Sequence, residues 1–464
     1  MTDDLFFWQQ IPGAARLAAR VVDEICAHHT VVLHVPERLP WSAAFHELVA
    51  TAVHRREAAR SLELLDAYEI YPFEEGEGSG LGFTEVPSDG SAAEASNAGT
   101  VMGSRFDEEE GSVRGTVEAF SGSSFAGASN ARTSMGARSA SGTTNARNAT
   151  GGTRATNEQE IRDAFGDYLL THFCRPEVQD GFRPALGYAG YLADCRDTTL
   201  GASYLWLTDV PAAAMNPWTA FLSDYQAAFQ AAKRKQPFAG DGFACLLETT
   251  ATEAFAKKGI VELSASDYLT SYDSYTFLFF RAGELPLQGT PEAVSYLRPY
   301  LAELARNLGG DDVEYSAALL KESARLLEDP VATCQRLASE GTASDGRPFP
   351  PAPDAAVIRR RTWATQIRLV FPWLEEQRIA FLDRHAAAAQ ALVQTRYIEN
   401  GNHEEISDYH LLEIGNISCC KNDLEATERE RQAIDLHRTA RNDLAHLAPL
   451  PLEKLRDLYA NPLA

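Results

Sequence analysis

An arginine, an asparagine and a histidine near the end of the chain have the types and the spacing needed to act on a phosphate ester. They are Arg441, Asn442 and His446 in the segment RNDLAH. A guanidinium presents a planar fork of N–H donors to phosphoryl oxygens, and an imidazole accepts or donates a proton near neutral pH. The segment therefore predicts a site for phosphate binding and proton transfer, provided that one element presents these side chains together.

A long helix is the element predicted to position them. The segment ATERERQAIDLHRTARNDLAHLAPL has apolar residues spaced by three and four, which is typical of a helix with one buried face. The predicted core stripe is Ala433, Leu436, Ala440, Leu444 and Leu447. At about 100° per residue, the opposite face carries Arg431, Asp435, Arg438, Asn442 and His446, with Arg441 on its flank.

This C-terminal part of the chain resembles the HEPN family of small helical bundles. The family signature is an arginine, a polar residue directly after it and a histidine a few positions further on, and RNDLAH matches it. FPWLEEQR near Phe371 and DYHLLEIG near Asp408 are also similar to helices of that family. By contrast, Arg378 and His385 have related spacing, but apolar Ile379 follows the arginine, so we interpret that pair as accidental.

The resemblance implies metal-independent cleavage of RNA, in which a ribose 2'-hydroxyl attacks the adjacent phosphorus. In that reading His446 is the acid or base, Arg441 holds the phosphate, and Asn442 orients the pair or the phosphate. Arg431 and Arg438 would add local positive charge for RNA.

The resemblance further implies a homodimer through the HEPN domain and a role in prokaryotic antiphage defence or as a toxin. We expect no metal and no cofactor. The alternative is a noncatalytic bundle, because polar residues opposite a core stripe usually form a solvated face.

The N-terminal part alternates short apolar runs with helical patterns, as an α/β protein does. Five runs are predicted strands: Thr30 to Val35, Leu62 to Ile70, Ser203 to Val210, Phe243 to Thr249, and Tyr275 to Phe280. A helical tail is predicted at about 291–337. The histidines of this part lack ligand spacing, and His46 and His54 predict a solvated helix face.

The order of these elements resembles the core of AAA-like P-loop ATPases, but the phosphate loop is eroded. In the alignment, Val35 and Pro40 take the two glycine positions, Trp41 takes the lysine position, and Ser42 takes the magnesium-ligand position. Pro40 has no N–H, and Trp41 is bulky and neutral, so this loop cannot cradle a triphosphate in the usual manner. Asp209 ends a run similar to the acidic strand of such enzymes, but the expected second acid is absent because Val210 follows. The favoured interpretation is that Asp209 merely ends a buried strand near a turn.

Composition divides the chain into predicted parts. Residues 1–337 form the ATPase-like α/β domain, with a disordered Gly/Ser-rich insertion at about 86–157. A Pro/Gly linker follows at 338–356, and the all-α HEPN-like bundle occupies 357–464.

Bulk properties limit the function. The formal net charge of −23 over 464 residues opposes broad attraction to nucleic acid, so any RNA contact must be local. The seven scattered cysteines predict neither disulfides nor a zinc site, and no segment predicts a signal peptide or membrane contact, so we expect a cytoplasmic protein.

The sequence leaves three hypotheses. The first is an RNA-cleaving effector with an inactive ATPase-like sensing or scaffold domain. The second is a noncatalytic scaffold that binds a partner such as an active ATPase. In the third, the N-terminal part still binds a nucleotide through a rearranged loop.

Overall fold

The computed structural model describes residues 1–73, 150–195, 198–235, 242–255, 257–399, 403 and 405–463, with side chains from residue 157 onward in the second range. The predicted insertion at 86–157 lies outside the described residues except for its end, which is helical from Thr150. Residues 1–78 and 156–464 belong to one compact unit.

One parallel sheet of five strands lies at the centre of the described N-terminal part. Its order is β2-β3-β4-β1-β5. The strands are β1 (Thr30–His34), β2 (Ser61–Asp66), β3 (Ser203–Thr208), β4 (Ala244–Thr249) and β5 (Ile260–Ser264). The prediction of a mixed α/β protein is therefore confirmed.

Helices cover both faces of this sheet. Because side chains alternate along a strand, Tyr204 and Trp206 of β3 face one hydrophobic core, whereas Leu205 and Leu207 face another. A strand buried on both faces reads as a continuous apolar run, which is why SYLWLT is recognisable in the sequence. The helices of this part are α1 (Asp3–Gln10), α2 (Pro12–Cys26), α3 (Ser42–Arg56), α4 (Ala67–Ile70), α5 (Thr150–Phe173), α6 (Pro176–Asp180), α7 (Gly187–Asp194), α8 (Ala212–Lys235) and α9 (Ser271–Gly283).

The remaining described chain is helical. It comprises α10 (Pro291–Gly309), α11 (Val313–Lys321), α12 (Ser323–Glu328), α13 (Pro330–Glu340), α14 (Ala355–Arg384), α15 (Ala386–Thr395), α16 (Ile414–Cys419), α17 (Glu428–Ala445) and α18 (Leu452–Ala460). The first hydrophobic core continues from the sheet through Leu301 of α10 to Val370 of α14 and Leu444 of α17. Helices on both sides of the irregular segment 341–354 thus share one core. The division into two domains stays a prediction.

Two of the predicted strands need correction. The segment Tyr275 to Phe280 is helical and belongs to α9, whose start is fixed by a capping box between Thr270 and Asp273. Its apolar run was ambiguous because short runs fit a buried strand and a helix equally well. The fifth strand is β5, which the sequence analysis missed. The predicted strand Leu62 to Ile70 ends at Asp66, where α4 begins.

No helix among the described residues is both long enough and apolar enough to span a bilayer.

Candidate functional site

Helix α17 carries the predicted motif and has well-defined ends. The side chain of Thr427 accepts from the backbone N–H of Glu430, and the Glu430 carboxylate accepts from the backbone N–H of Thr427. These bonds, with the neighbouring His385, lower the pKa of Glu430 to about 2. The helix stops at Ala445, so His446 is its C-cap, and Leu447 reverses the chain with a φ of 62°.

The buried face of α17 differs from the predicted stripe at two positions. Ala433, Ala440 and Leu444 are buried as expected. Leu447 is 68% exposed, because the helix ends before it. Between Ala433 and Ala440, the buried face includes His437, which is 1% exposed. Histidine does not count as apolar in a periodicity argument, so the sequence pattern passed over it.

The three motif residues lie at the accessible end of this helix. Asn442 and His446 are exposed, and Arg441 is half-buried. Arg441 Nη2 lies 3.5 Å from Glu413 Oε2, and both side chains are partly open to solvent at 34% and 53%. This distance is at the limit of a hydrogen bond, so the guanidinium is held weakly and can turn to another anion.

The two other arginines of the predicted RNA-binding face have intramolecular partners. Arg431 Nε donates to the carbonyl of Ala426 at 3.0 Å, and Arg438 Nη1 donates to Ser418 Oγ at 3.0 Å. Asp435 on the same face accepts from Lys421 at 2.7 Å. Arg438 and Asp435 therefore point towards α16 and the turn that follows it.

Two side chains of α14 hold the chain on either side of His446. Trp363 Nε1 donates to the carbonyl of Leu444 at 2.7 Å, and the same carbonyl also accepts from the Leu447 N–H at 3.3 Å. The fully buried Gln366 donates to the Leu450 carbonyl at 2.9 Å and accepts from the Leu450 N–H at 2.7 Å. The His446 turn is thus anchored to the core at both ends.

We expect Trp363→Phe to lower the free energy of unfolding by about 1 kcal/mol, because the Leu444 carbonyl loses the shorter of its two hydrogen bonds. The matched control is Trp373→Phe, since Trp373 Nε1 has no hydrogen-bond partner. Urea unfolding of both variants compares their free energies of unfolding. The difference separates the effect of the lost hydrogen bond from the effect of replacing indole by a smaller ring. Equal losses in the two variants would show that the Trp363 bond contributes nothing.

Arg378 and His385 make hydrogen bonds within the C-terminal helical part and not with each other. Arg378 Nη1 donates to the carbonyls of His410 and Leu412 at 2.7 and 2.9 Å, and His385 Nε2 lies 3.1 Å from Glu430 Oε1. His410 is partly exposed, and hydrogen bonds to Asp383 and Asp408 raise its pKa. The sequence analysis missed this Asp–His–Asp group, because its members come from separate elements.

The loop predicted to be an eroded phosphate loop is filled by the protein's own side chains. Trp41 has a left-handed φ of 46°, and its ring packs 5.4 Å from the rings of Phe7 and Phe277. Trp8 Nε1 donates to the Pro40 carbonyl at 2.9 Å. Ser42 is the first residue of α3, half-buried, behind this aromatic cluster.

A carboxylate occupies the position where the helix start would attract an anion. The Trp41 N–H, at the N-terminus of α3, donates to Glu314 Oε1 at 2.6 Å. Ser344, in the segment between α13 and α14, also donates to Glu314 through its N–H at 2.7 Å. The N-terminus of a helix favours negative charge, and here the chain supplies that charge itself.

The other predicted residue of the degenerate site, Asp209, lies at the end of β3 with a φ of 52°. Local desolvation and the negative charges of Glu248 and Asp66 raise its pKa. Glu248 is 7% exposed and accepts from Trp206 Nε1 at 2.9 Å, and His46 Nε2 lies 2.9 Å from the same oxygen. The prediction that His46 lies on a solvated face is therefore wrong: its acid partner is more than 200 residues away in sequence.

We expect titration with ATP and magnesium to give no binding heat at this loop, because Pro40 offers no N–H and Glu314 already takes the N–H of Trp41. Isothermal titration calorimetry of the whole chain checks this. A saturable heat that Ser42→Ala abolishes would contradict it and would favour a rearranged nucleotide site.

Among the described residues, no three His, Cys, Asp or Glu side chains come together in a way that could hold a metal ion. Searches of protein-family models, of curated proteins and of solved structures found no match to this chain.

Proposed function

We propose that this protein is an endoribonuclease effector of the HEPN type, with Arg441, Asn442 and His446 as its catalytic group. The observation that carries the proposal is the exposure of Asn442 and His446, next to the half-buried Arg441, at one anchored helix end. A buried pair could not meet a polymer substrate. An anchored but open pair has the access and the rigidity that catalysis requires.

The proposed reaction needs no metal. A base removes the proton of a ribose 2'-hydroxyl, the oxygen forms a bond to the adjacent phosphorus, and the bond from phosphorus to the 5'-oxygen breaks. The leaving oxygen takes up a proton, which gives a 2',3'-cyclic phosphate and a 5'-hydroxyl end. His446 serves one of the two proton transfers, and Arg441 leaves Glu413 to stabilise the charge on the phosphoryl oxygens.

A second copy would complete the site. A dimer that brings two motifs together would supply two histidines and two arginines to one cleft. Leu447, directly after His446, is 68% exposed and gives such a contact an apolar centre. Sedimentation of the whole chain is expected to give a dimer, and a strict monomer at micromolar concentration would count against this part of the proposal.

The N-terminal part is proposed to be an ATPase-like scaffold or sensor without ATPase activity. Its support is the parallel five-stranded sheet together with the blocked loop at Pro40, Trp41 and Glu314. In the scaffold hypothesis this part binds a protein partner such as an active ATPase of the same system. A cytoplasmic location is part of the proposal.

The test is incubation of the purified chain with total RNA in the presence of EDTA. We expect cleavage that leaves 5'-hydroxyl ends, which polynucleotide kinase labels without prior phosphatase treatment. Cleavage that stops on chelation would contradict the metal-independent reaction.

One observation favours the noncatalytic scaffold. Arg431, Arg438 and Arg441 all contact groups of their own chain, and with a net charge of −23 there is little further attraction for RNA. In that case the same α17 face binds a protein partner, and the chain cleaves no RNA with or without that partner.

A further inference from the structure

A cleft of about 720 Å³ opens at the carboxyl ends of β1, β4 and β5. Val35 and Pro40 of the loop before α3 form part of its wall, whereas Trp41 and Ser42 do not line it. Ligands of parallel α/β sheets bind outside the carboxyl ends of the strands, and clefts of this size hold small organic molecules. Its walls are largely apolar and include Val35, Pro40, Ala265, Leu269 and Val313. Location, size and lining together indicate a binding site for a small molecule.

Two hydrogen-bond acceptors meet in this cleft. His34 Nδ1 lies 2.7 Å from the carbonyl of Ala251, which can only accept, so Nδ1 carries a proton. When Nε2 carries no proton, it is an acceptor. That Nε2 lies 3.7 Å from Glu262 Oε2. The other oxygen, Glu262 Oε1, is buried without a hydrogen-bond partner. A buried carboxylate oxygen without a hydrogen bond costs free energy. A ligand that donates to Glu262 Oε1, between or beside Glu262 and His34, would therefore be stabilised.

The arginines that line the cleft do not neutralise this acid. Arg306 is held by Glu303 through bonds of 3.0 and 2.9 Å, and Arg38 pairs with Asp312 at 3.5 Å. Asp311 also lines the cleft. The lining thus holds two acids and two guanidinium groups, and each guanidinium is held by an acid outside the lining. Neither guanidinium forms a salt bridge with Glu262, so that carboxylate stays available to a cation.

We propose that this cleft binds a small organic cation: an amine on a compact apolar or aromatic body, whose ammonium group donates to Glu262 and to His34 Nε2. The apolar walls contact the apolar or aromatic body of the ligand. His34 stacks on Phe255, with the ring centroids 6.0 Å apart and the planes nearly parallel, and this contact holds His34 Nε2 in position. The proposal is independent of the ribonuclease function, and it identifies where the N-terminal part can receive a chemical signal.

Three indole compounds of one shape test the proposal by calorimetry with the whole chain: tryptamine as the cation, tryptophol as the neutral analogue and indole-3-acetate as the anion. We expect tryptamine to bind with a Kd of about 2 mM, the weak affinity expected of a ligand with so few non-hydrogen atoms. Tryptophol is expected to bind about 10-fold more weakly, and indole-3-acetate not at all, because a charge-assisted bond to Glu262 is lost or reversed.

Glu262→Gln should weaken tryptamine by about 10-fold or more and should abolish its preference over tryptophol. Glu47→Gln is the matched control, since Glu47 is an exposed acid on α3 that does not line the cleft. Leu269→Trp, which fills the cleft without changing charge, should abolish binding of all three compounds. Equal binding of cation and anion, an unchanged tryptamine affinity in Glu262→Gln, or no binding of any compound would overturn the proposal.

Discussion

His446→Ala is expected to reduce RNA cleavage by about 10²- to 10⁴-fold, because the reaction loses its acid or base. Arg441→Ala is expected to reduce it by about 10²- to 10³-fold, since the developing charge on the phosphoryl oxygens loses its guanidinium. Arg441→Lys keeps the charge but not the planar fork, so it should restore only part of the rate. The readout is the initial rate of cleavage of a labelled RNA in EDTA.

The matched control for this series is His410→Ala. His410 is a partly exposed histidine of the same bundle with its own acid partners, Asp383 and Asp408, so it is also equipped to move a proton. If His410→Ala abolishes cleavage while His446→Ala does not, the active group is misassigned. If the unaltered chain cleaves nothing, alone or with its partner, the scaffold function replaces the ribonuclease.

Much of the fold was predictable because it depends on local patterns. The helix α17 has apolar residues at a spacing of three and four and begins at a capping box, so pattern and end signal agree. Strand β3 is apolar at almost every position because both faces of the sheet are covered, and its position was predicted well. The strand predicted at Tyr275 to Phe280 was wrong because its apolar residues fit the periods of both a strand and a helix. The capping residues before this run favour a helix.

The contacts that shape both candidate sites were not predictable, because they join residues far apart in sequence. Glu314 accepts a hydrogen bond at the N-terminus of α3 from a residue more than 270 positions away in sequence. Gln366 of α14 forms hydrogen bonds with Leu450, which follows α17. Nothing in the neighbourhood of either residue indicates its partner. The motif supplies the chemistry of a site, whereas tertiary packing decides which of its groups stay free to act.

A buried histidine behind the motif makes stability depend on pH, and this is the second large effect we expect. His437 is 1% exposed, its Nε2 lies 3.3 Å from the Asn461 carbonyl, and its Nδ1 has no partner. Burial lowers its pKa from 6.5 to about 4, although the bond to Asn461 opposes the shift. Between these two pH values the unfolded chain binds a proton that the folded chain refuses, so stability falls as the pH drops from about 6.5 to about 4. The total loss from this group is about 3 kcal/mol, and it is absent above pH 6.5.

His437→Phe removes the titrating group while keeping a ring against Trp373, whose centroid lies 5.2 Å away. In urea unfolding at about pH 7 and about pH 4, the unaltered chain should lose about 3 kcal/mol more than this variant. His54→Phe, a change at an exposed histidine of α3, should retain the full loss. Comparing variants is necessary because carboxylates such as Glu430, whose pKa is lowered to about 2, also favour the folded chain at higher pH. If His437→Phe and the unaltered chain lose the same free energy over this range, His437 takes up its proton in the folded state, and the sealed core behind the motif does not exist as described.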